Sequence, residues 1–509
     1  MRREASHAGG MAATVLLAVG LLAACAETAP PSGIDPGPGP PPPPPGSFDS
    51  AEVLARLAPG VDIDAIHARY GTTTIEAIES QRVYLLGLPE DRTVEDVLPE
   101  MQADPELDGA SPNSRLSVPE AESRSTMAFA HPSDDPADRE DQEAIRRIRA
   151  PQAWADSRGE GVLVAVLDTG LEPGHPQLAG HVAGGGADIV DDDADVSDRP
   201  DGIDSDGDGR VDEAVGHGTF VAGLVLAVAP DAQILPIRIL DSDGIGEAVD
   251  IARGIELAVQ RGARVVNLSL GMDVESEVLR QVIEEETREK GISFVASAGN
   301  GASDERHYPA GQGQVIGIAA VDATDRKADF SNWGSWVSAS APGVGLVSLM
   351  PPAGMAVWSG TSFSAALTSG EAAVLIAFAP FARADEVRDA IEESTVELGD
   401  PRLNGAGRID VEAAVRRLEE RLGLIEVGAE VEFNGLVVSV DLVARTIRLE
   451  DGTTLEIPHD GLIDRGGDYL TLSAVAIAVT AGLPVRAEGR AIEDNDDLRV
   501  TEIRFELET

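Results

Sequence analysis

Apolar runs of strand length recur through the middle of the chain, between segments with helical periodicity. Short apolar runs bounded by turn residues are typical of buried strands, and their alternation with helices favours a parallel sheet covered by helices. This pattern predicts an α/β domain over residues 141–422. The predicted strands are Val162–Leu167, Ile234–Ile239, Arg264–Leu268, Ser293–Ser297 and Val315–Ala319, and a helix is predicted at Leu367–Phe378.

A smaller segment of mixed pattern, residues 48–118, precedes this domain. Apolar residues at helical spacing and short β-rich runs follow one another there, which predicts a compact α+β unit. The predicted helices are Val61–Tyr70 and Thr93–Ala103, and the predicted strands are Arg82–Leu88 and Leu107–Pro112. Residues 119–140 are polar and rich in Ser, Pro and Asp, so we expect them to form a linker.

The pattern changes again near the C-terminus, where alternating runs predict a small β-rich domain over residues 424–509. One apolar stretch, Leu472–Ala481, is predicted as a short helix. The predicted strands are Glu430–Val440, Thr446–Glu450, Thr453–Ile457, Val485–Ala491 and Leu498–Phe505.

The N-terminus has the pattern of an export signal. Two arginines precede an apolar run, Met11 to Ala24, that is shorter than a membrane-spanning helix. Leu22-Ala-Ala-Cys25 resembles a bacterial lipobox, in which the cysteine is acylated; the alternative is an ordinary signal peptide that contains a cysteine. We expect a lipoprotein signal over residues 1–25 and an extended Pro-rich linker over residues 26–47.

Composition narrows the classes of function. The 509 residues are 43% hydrophobic and carry a net charge of −50, so the chain can bury a sizeable core but offers little basic surface. Phosphate affinity comes from clustered Lys and Arg, so we expect no nucleic-acid partner. Cys25 is the one cysteine in the sequence, which excludes a disulfide scaffold and a cysteine-based metal site.

Three short motifs of the α/β region carry candidate chemistry. Asp168-Thr-Gly ends a predicted strand, Gly-His217-Gly-Thr begins an apolar helical run, and Gly-Thr-Ser362 precedes the predicted helix. Each residue alone is explained as a turn or helix cap. Together they supply an orienting acid, a base and a nucleophile, because a serine hydroxyl attacks only when a neighbouring base takes its proton.

With these motifs in the chain order Asp, His, Ser, residues 141–422 resemble the subtilisin-like serine peptidases, the subtilase family. The resemblance implies a three-layer α/β/α fold with a mainly parallel sheet. It also implies a serine endopeptidase that needs no cofactor for catalysis. In it Ser362 is the nucleophile, His217 is the general base and Asp168 orients His217.

Further motifs of the same family define the expected substrate site. Ser297-Ala-Gly-Asn300 matches the oxyanion motif, in which the Asn300 amide and the Ser362 N–H hold the developing negative charge. Ser269, Leu270 and Gly271 match a wall of the cleft, where the substrate pairs as an added strand. His307 departs from the family pattern at a place that lines the pocket for the residue before the scissile bond, and we expect it to narrow or tune that pocket.

An acidic segment separates the first two motifs, with twelve acidic residues and two arginines between Asp188 and Glu213. Its alternating oxygen ligands around a glycine turn resemble the start of an EF-hand or dockerin calcium loop. The candidate ligands of this structural calcium are Asp204, Asp206, Asp208 and Asp212. Val215 stands where a bidentate carboxylate is expected, so Glu213 or another group must complete the shell. The alternative is a solvated acidic loop without a cation.

The resemblance also predicts the roles of the segments on either side of the α/β domain. Residues 48–118 resemble subtilase propeptides, which have a ferredoxin-like α+β fold, assist folding and block the cleft until they are cut off. We expect that cut between residues 114 and 140. The C-terminal domain resembles OB-like β-barrel modules of exported bacterial proteins. It lacks a basic, aromatic-rich face, which favours a spacer or protein-contact role over nucleic-acid binding.

The sequence therefore predicts an exported serine endopeptidase that is made as a zymogen and cleaves proteins or peptides through an acyl-enzyme. Its expected partners are substrates, its own propeptide and a lipid anchor in the membrane. The expected location is the bacterial cell envelope, or the extracellular space if cleavage leaves the anchor on the propeptide. The alternatives are a latent or self-processing surface lipoprotein that acts mainly as an interaction or scaffold protein, and a narrow processing peptidase for one exported partner.

Overall fold

Two helices cover one face of an antiparallel sheet in the N-terminal region of the described chain. The computed structural model describes residues 48–120, 128–422, 431–441, 446–450, 454–456, 485–494 and 497–507. The N-terminal region comprises β1 (Phe48–Leu57), α1 (Ile63–Tyr70), β2 (Thr73–Ile78), β3 (Val83–Gly87), α2 (Val94–Gln102) and β4 (Leu107–Ser117), with a 3-10 turn at Glu79–Gln81. The strand order β2-β3-β1-β4 with this βαββαβ succession is the predicted ferredoxin-like arrangement.

Side-chain alternation along β1 gives this sheet an apolar surface on each face. Val53, Ala55 and Leu57 pack against α1 and α2. Leu54 points to the opposite face and belongs to the core of the following domain. The sequence pattern does not predict β1 or β2, because the first half of β1 is polar and most of β2 is exposed.

Seven parallel strands form the central sheet of the α/β domain, as predicted, in the order β13-β12-β11-β10-β6-β8-β7. The strands of the whole domain are β5 (Phe129–Ala130), β6 (Leu163–Asp168), β7 (Ala187–Asp188), β8 (Gln233–Arg238), β9 (Ile245–Glu247), β10 (Val265–Leu268), β11 (Ser293–Ser297), β12 (Val315–Val321), β13 (Ala339–Pro342), β14 (Leu346–Met350) and β15 (Gly354–Trp358). Because the strands are parallel, their carboxyl ends share one edge of the sheet, and β6, β10 and β11 lie side by side there.

Helices pack on both faces of this sheet. They are α3 (Pro136–Glu140), α4 (Glu143–Arg147), α5 (Ala150–Ala153), α6 (His217–Val228), α7 (Ala248–Gln260), α8 (Glu277–Lys290), α9 (Thr361–Phe378), α10 (Ala384–Glu393), α11 (Pro401–Asn404) and α12 (Val411–Arg421), with a 3-10 turn at Pro176–Leu178. One apolar cluster joins α6, α9 and α12 on one face, and another joins α7 and α8 on the other. The domain is therefore the expected three-layer α/β/α sandwich.

Helices α6 and α9 lie almost wholly inside the protein. All residues of α6 and residues 361–376 of α9 are buried, as expected for helices that are apolar on every side. A Cβ on Gly370 of α9 would lie 2.6 Å from the Val228 Cβ of α6, so glycine allows the two helices to approach closely. In the described part of the chain, α9 alone is long and apolar enough to cross a membrane, and 89% of it is buried as a core helix.

Strand β4 is longer than predicted because it continues onto the α/β domain. Its last residues pair antiparallel with β9, from Arg115 opposite Glu247 to Ser117 opposite Ile245. The expected linker contains regular structure as well, since β5 pairs with β15 and α3 follows it.

The described C-terminal strands form a closed barrel in the order β16-β17-β18-β20-β19. They are β16 (Val431–Asp441), β17 (Thr446–Leu449), β18 (Thr454–Glu456), β19 (Val485–Asp494) and β20 (Asp497–Leu507). This agrees with the predicted β-rich, OB-like domain. The predicted helix Leu472–Ala481 lies outside the described residues.

A buried carboxyl group on α9 links the stability of the fold to pH. Glu371 has no exposed surface, and neither of its oxygens has a hydrogen-bond partner among the described residues. Burial, with a smaller effect of Asp410, raises the pKa of Glu371 well above its ordinary value of 4.5. Such a group contributes most to the free energy of unfolding below its unfolded-state pKa, and this contribution is lost as the pH rises through the folded-state pKa.

We expect Glu371→Gln to remove this loss, because the amide does not ionise. As the pH rises above about 4.5 toward the folded-state pKa, the free energy of unfolding of the unchanged chain should fall relative to the variant by about 1.4 kcal/mol per pH unit. Urea unfolding of both chains between pH 5 and 9 measures the difference. A difference that stays constant with pH would contradict this assignment.

Candidate active site

The three candidate catalytic side chains meet at the carboxyl edge of the central sheet. Asp168 is the last residue of β6, His217 is the first residue of α6 and Ser362 is the second residue of α9. The Nδ1 atom of His217 lies 2.7 Å from Oδ1 of Asp168. All three side chains are fully buried.

Local contacts hold the acid and the imidazole in place. The Thr169 N–H donates to Asp168 Oδ1 over 2.8 Å, and Thr169 Oγ1 accepts from the N–H of Gly218 over 3.1 Å, next to the imidazole. The His217 ring packs between Trp358 and Phe363, with ring centroids 5.6 and 5.5 Å away. The imidazole therefore has a fixed plane, with Nδ1 toward the acid and Nε2 toward the cleft.

Asn300 and the start of α9 form a pair of aligned donors. The side-chain oxygen of Asn300, Oδ1, accepts from the Thr361 N–H over 3.0 Å and from the Thr361 hydroxyl over 2.9 Å. These two bonds turn the side-chain amide nitrogen toward the cleft. That nitrogen and the Ser362 N–H both donate to one oxygen, over 3.0 and 3.3 Å. Two N–H groups directed at one point suit an oxygen that carries negative charge.

The oxygen that they hold belongs to the side chain of Glu120. Its other carboxylate oxygen accepts from Ser362 Oγ over 2.6 Å and lies 3.1 Å from His217 Nε2. Glu120 is fully buried, three residues after the end of β4. The sequence gives no sign of this contact, because a glutamate in an expected linker carries no signal of where the chain will fold back.

The residues before Glu120 lie along the cleft as an added strand. Ser117 and Gly271 exchange two backbone hydrogen bonds of 3.0 Å each, and the Val118 N–H donates to the Gly244 carbonyl over 3.0 Å. The predicted wall therefore receives a strand from the chain itself.

The other wall residues form hydrogen bonds to the start of α9 and to β11. The Ser269 carbonyl accepts from Ser362 Oγ over 3.2 Å, and the Ser269 hydroxyl donates to the Ser362 carbonyl over 3.0 Å. The Leu270 carbonyl accepts from the Ser297 hydroxyl of β11 over 3.4 Å. These bonds fix the distance between the wall and the serine.

His307 lies beside this wall, as its sequence position suggests. It is buried, and its ring is so close to Gly271 that a Cβ there would collide with Nε2. The Nδ1 atom faces Asp273 at 3.6 Å, and this contact lowers the pKa of Asp273.

Two carboxylates determine the protonation of His217 in this arrangement. Burial by itself would lower the pKa of the imidazole. Asp168 and Glu120 outweigh burial and raise the pKa to about 10. His217 is therefore an imidazolium at neutral pH and cannot accept a proton while Glu120 is in place.

A second buried carboxylate, which no motif distinguishes among the twelve acidic residues, supports the start of α6. Asp198 accepts from the Thr219 hydroxyl over 3.1 Å and from the Thr219 N–H over 3.5 Å. Burial raises its pKa to about 6, and the charge of Asp168 adds to the effect. The acidic segment is thereby attached to the helix that carries His217.

The acidic loop brings together three of its four candidate ligands. Asp204, Asp206 and Asp208 are exposed, and their ligand oxygens lie within 4.8 Å of one another. Asp212 is outside this group, because its carboxylate accepts the N–H groups of Asp201 and Gly202, each over 2.9 Å. The role of Asp212 as a calcium ligand stays a prediction. The lipidation candidate Cys25 lies outside the described residues.

Known families and proteins share parts of this sequence. Residues 159–407 match the subtilase family model, and residues 43–113 match the model of the fervidolysin N-terminal prodomain. The chain is 35% identical to thermitase of Thermoactinomyces vulgaris over 282 residues, which cover 53% of this chain and 94% of thermitase. It is 34% identical to subtilisin BL of Lederbergia lenta over 282 residues, which cover 53% of this chain and 97% of that protein.

A solved structure shares the fold. The crystal structure of fervidolysin from Fervidobacterium pennivorans, a keratinolytic enzyme related to subtilisin, superposes with a TM-score of 0.58 at 22% identity. The match covers 89% of this chain and 78% of fervidolysin.

We expect Glu120→Gln to lower the pKa of His217, because it removes one of the two charges that favour the imidazolium. Histidine-labelled ¹⁵N NMR titration of the unprocessed chain, kept whole by Ser362→Ala in every sample, should give about 10 with Glu120 present and a lower value for the Glu120→Gln variant. Glu140→Gln, which changes an exposed glutamate, is the control and should leave the titration unaltered. Identical curves for all three chains would show that Glu120 does not face His217.

Proposed function

The chain belongs to the subtilase family as a subtilisin-like serine endopeptidase with a prodomain, and we propose that it hydrolyses peptide bonds through Asp168, His217 and Ser362. One observation carries this proposal. Four donors, the Ser362 hydroxyl and N–H, the Asn300 amide and His217 Nε2, converge on a single carboxylate. A carboxylate has the shape and charge of a cleaved peptide end, so the same donors suit a reacting peptide carbonyl.

The proposed chemistry follows from this convergence once Glu120 has left. Ser362 Oγ attacks the carbonyl carbon of the scissile bond, and His217 Nε2 takes its proton and passes it to the leaving amine. Asp168 keeps the other ring nitrogen protonated and stabilises the imidazolium that forms. Water then attacks the acyl-enzyme by the same steps in reverse.

Asn300 and the Ser362 N–H supply the electrostatic part of the mechanism. Their shared target holds Glu120 Oε1 in the intact chain and would hold the substrate oxygen during attack. A donor in this position contributes about 10²–10³ in kcat. Subtilases need no cofactor for this chemistry.

We infer that the intact chain is a zymogen held closed from within. The strand that ends at Ser117 fills the substrate cleft, and the Glu120 carboxylate stabilises the protonated form of the base and occupies the oxyanion position. Ionic repulsion does not expel the carboxylate, because the imidazolium neutralises it. The segment must leave before an external substrate can bind.

The same contacts favour a second candidate, a latent lipoprotein that cuts itself at most and otherwise acts as an interaction or scaffold protein. It would keep the prodomain bound after synthesis. Partly buried polar contacts at the domain junction support persistent binding: Arg56 pairs with Glu285, and the Asn113 amide donates to Glu247 over 2.7 Å. The two candidates differ in whether an external protein is degraded.

We propose further that the protein is exported and anchored through lipid on Cys25. This rests on the basic, apolar and small-residue pattern of residues 1–25 and on the resemblance to a lipobox. Cleavage after the prodomain would leave the lipid on the N-terminal fragment and release the peptidase. The proposed location is therefore the cell envelope before processing and the extracellular space after it.

A structural calcium ion in the acidic loop is a separate proposal. Three carboxylates with mutually close oxygens suit a hard cation. The nearby Glu213 carboxylate is nearly buried, 3.0 Å from Arg210, and its Oε2 has no hydrogen-bond donor among the described residues. Glu213 therefore joins Asp212 as a candidate fourth ligand, and the ion would order the loop that precedes His217.

Ser362→Ala should abolish processing of the chain. In a bacterial host we expect the unchanged protein to be cut between residues 114 and 140. The Ser362→Ala chain should stay whole, because substitution of the nucleophile removes covalent attack. Intact mass detects the fragments, and acyl mass on the N-terminal fragment tests the lipid proposal. Ser364→Ala, which removes a buried hydroxyl two residues away, is the control and should be processed normally.

Two outcomes would contradict the proposal. One is cleavage of the Ser362→Ala chain at the same position. The other is an unchanged chain that is neither cut nor able to degrade casein, which would favour the latent lipoprotein.

Calcium should raise the thermal unfolding midpoint of chelator-treated Ser362→Ala protein. Binding to the folded state alone at about 100 times Kd contributes about 2.7 kcal/mol, which corresponds to several degrees. Asp206→Asn should remove most of this increase, and Asp134→Asn, an exposed position outside the loop, should retain it. Equal increases in all three proteins would place the ion elsewhere.

A further inference from the structure

We propose that His307 restricts the residue before the scissile bond to short side chains that donate a hydrogen bond, such as Asn, Ser and Thr. This inference rests on the proposed function, and it names the substrate class of the same site. Three features of the pocket support it: its walls, the position of the ring and the state of the two ring nitrogens.

The backbone contacts fix where that substrate side chain must go. The reacting carbonyl oxygen lies at the Asn300 amide and the Ser362 N–H, and the preceding residues pair with Gly271 as Ser117 does. The side chain attached to this carbonyl therefore enters between two segments, Ser269–Gly271 and Ala298–Asn300.

The imidazole of His307 lies between those same two segments. A Cβ on Gly271 would collide with its Nε2, and a Cβ on Gly299 would be 3.2 Å from its Cδ2. The ring thus takes up the space that two bare glycines leave open. Large aromatic or aliphatic side chains do not fit beside it.

The backbone that carries the ring is held in place. The neighbouring Tyr308 exchanges two backbone hydrogen bonds with Met272, of 2.8 and 2.9 Å, directly after the wall residue Gly271. The His307 carbonyl accepts from the Gly311 N–H over 2.7 Å. These bonds fix the position of the His307 Cα beside the wall of the cleft.

The two nitrogens of the ring differ in their surroundings. Nδ1 is the ring nitrogen that faces a carboxylate, that of Asp273 at 3.6 Å, which favours the Nδ1–H tautomer of a neutral ring. In a neutral ring Nε2 is then an acceptor. It is buried and has no hydrogen-bond partner in the described part of the chain. A hydroxyl or amide donor on the substrate side chain would supply that partner.

Both size and polarity therefore select the same class of residue. A short side chain fits above the ring, and a terminal O–H or N–H satisfies Nε2. A site built around a buried polar atom discriminates strongly against substrates that leave the atom unpaired, by roughly ten-fold or more.

The test compares tetrapeptide p-nitroanilides that differ only in the last residue, which is Asn, Ser, Leu or Phe. The full chain is used after self-processing, since ratios of kcat/KM between substrates do not depend on the fraction of active protein. For the unchanged enzyme we expect Asn and Ser to exceed Phe and Leu by at least about ten-fold.

Two substitutions separate size from polarity. His307→Gly should open the pocket and raise kcat/KM for Phe at least about ten-fold, which reverses the ranking. His307→Phe should keep the pocket short but lose the advantage of Asn and Ser, without any gain for Phe. His181→Ala changes a histidine whose backbone carbonyl accepts from Ile234 near the amino end of β8. This variant should keep the original ranking.

Fluorophosphonate labelling of Ser362 and casein hydrolysis show whether the protein is an active protease, independently of its preference for the residue before the scissile bond. A labelled, casein-degrading enzyme that prefers Phe or Leu would overturn the inference about His307 and leave the protease intact. The same conclusion follows if a labelled His307→Gly enzyme with an unchanged unfolding midpoint keeps the original ranking. Absence of labelling and hydrolysis in the unchanged, processed chain would overturn the proposed function and this inference together.

Discussion

The close packing of α6 against α9 is the constraint on which the site depends. His217 is the first residue of α6 and Ser362 the second residue of α9, so the separation of two helices sets the separation of two reactive groups. Gly370 permits the approach, because any side chain there would overlap Val228. The parallel sheet beneath adds Asp168 from β6 and Asn300 from the loop that follows β11. Close-packed interiors resist small displacements, so the geometry is as rigid as the core.

The same rigidity underlies the self-inhibition that we propose for the intact chain. The donors that suit the carbonyl of a reacting peptide also suit a carboxylate that lies in the same place. Glu120 meets all of them because β4 runs along β9 and enters the cleft as a substrate would. Two carboxylates around one imidazole keep it protonated, and the protonated ring in turn holds the carboxylate. Chemistry and latency therefore use one set of contacts in two protonation states.

The large negative charge of the chain is distributed in ways that serve different ends. Asp168 and Glu120 act on His217 inside the protein, and Asp198 fastens the acidic segment to α6. Asp204, Asp206 and Asp208 lie together on the surface, where nearby like charges favour a bound cation. Carboxylates thus pair with the proposed base from both sides and also gather at the proposed metal site, and burial separates the first two from the third.

Local sequence patterns predicted the parallel α/β sheet and the compact α+β unit before it, and the resemblance of short motifs to a known family supplied the three-layer fold, the prodomain and the residues that meet at the site. Strand and helix periods follow from local burial, and Asp168, His217, Ser362 and Asn300 lie in short motifs that need no knowledge of distant contacts. Tertiary packing alone placed Glu120 on Ser362, moved Asp212 out of the acidic cluster and set the His307 ring against Gly271. These contacts join residues far apart in the chain or depend on which backbone N–H a side chain meets. No local pattern encodes them, because they arise from the packing of elements that the sequence specifies one at a time.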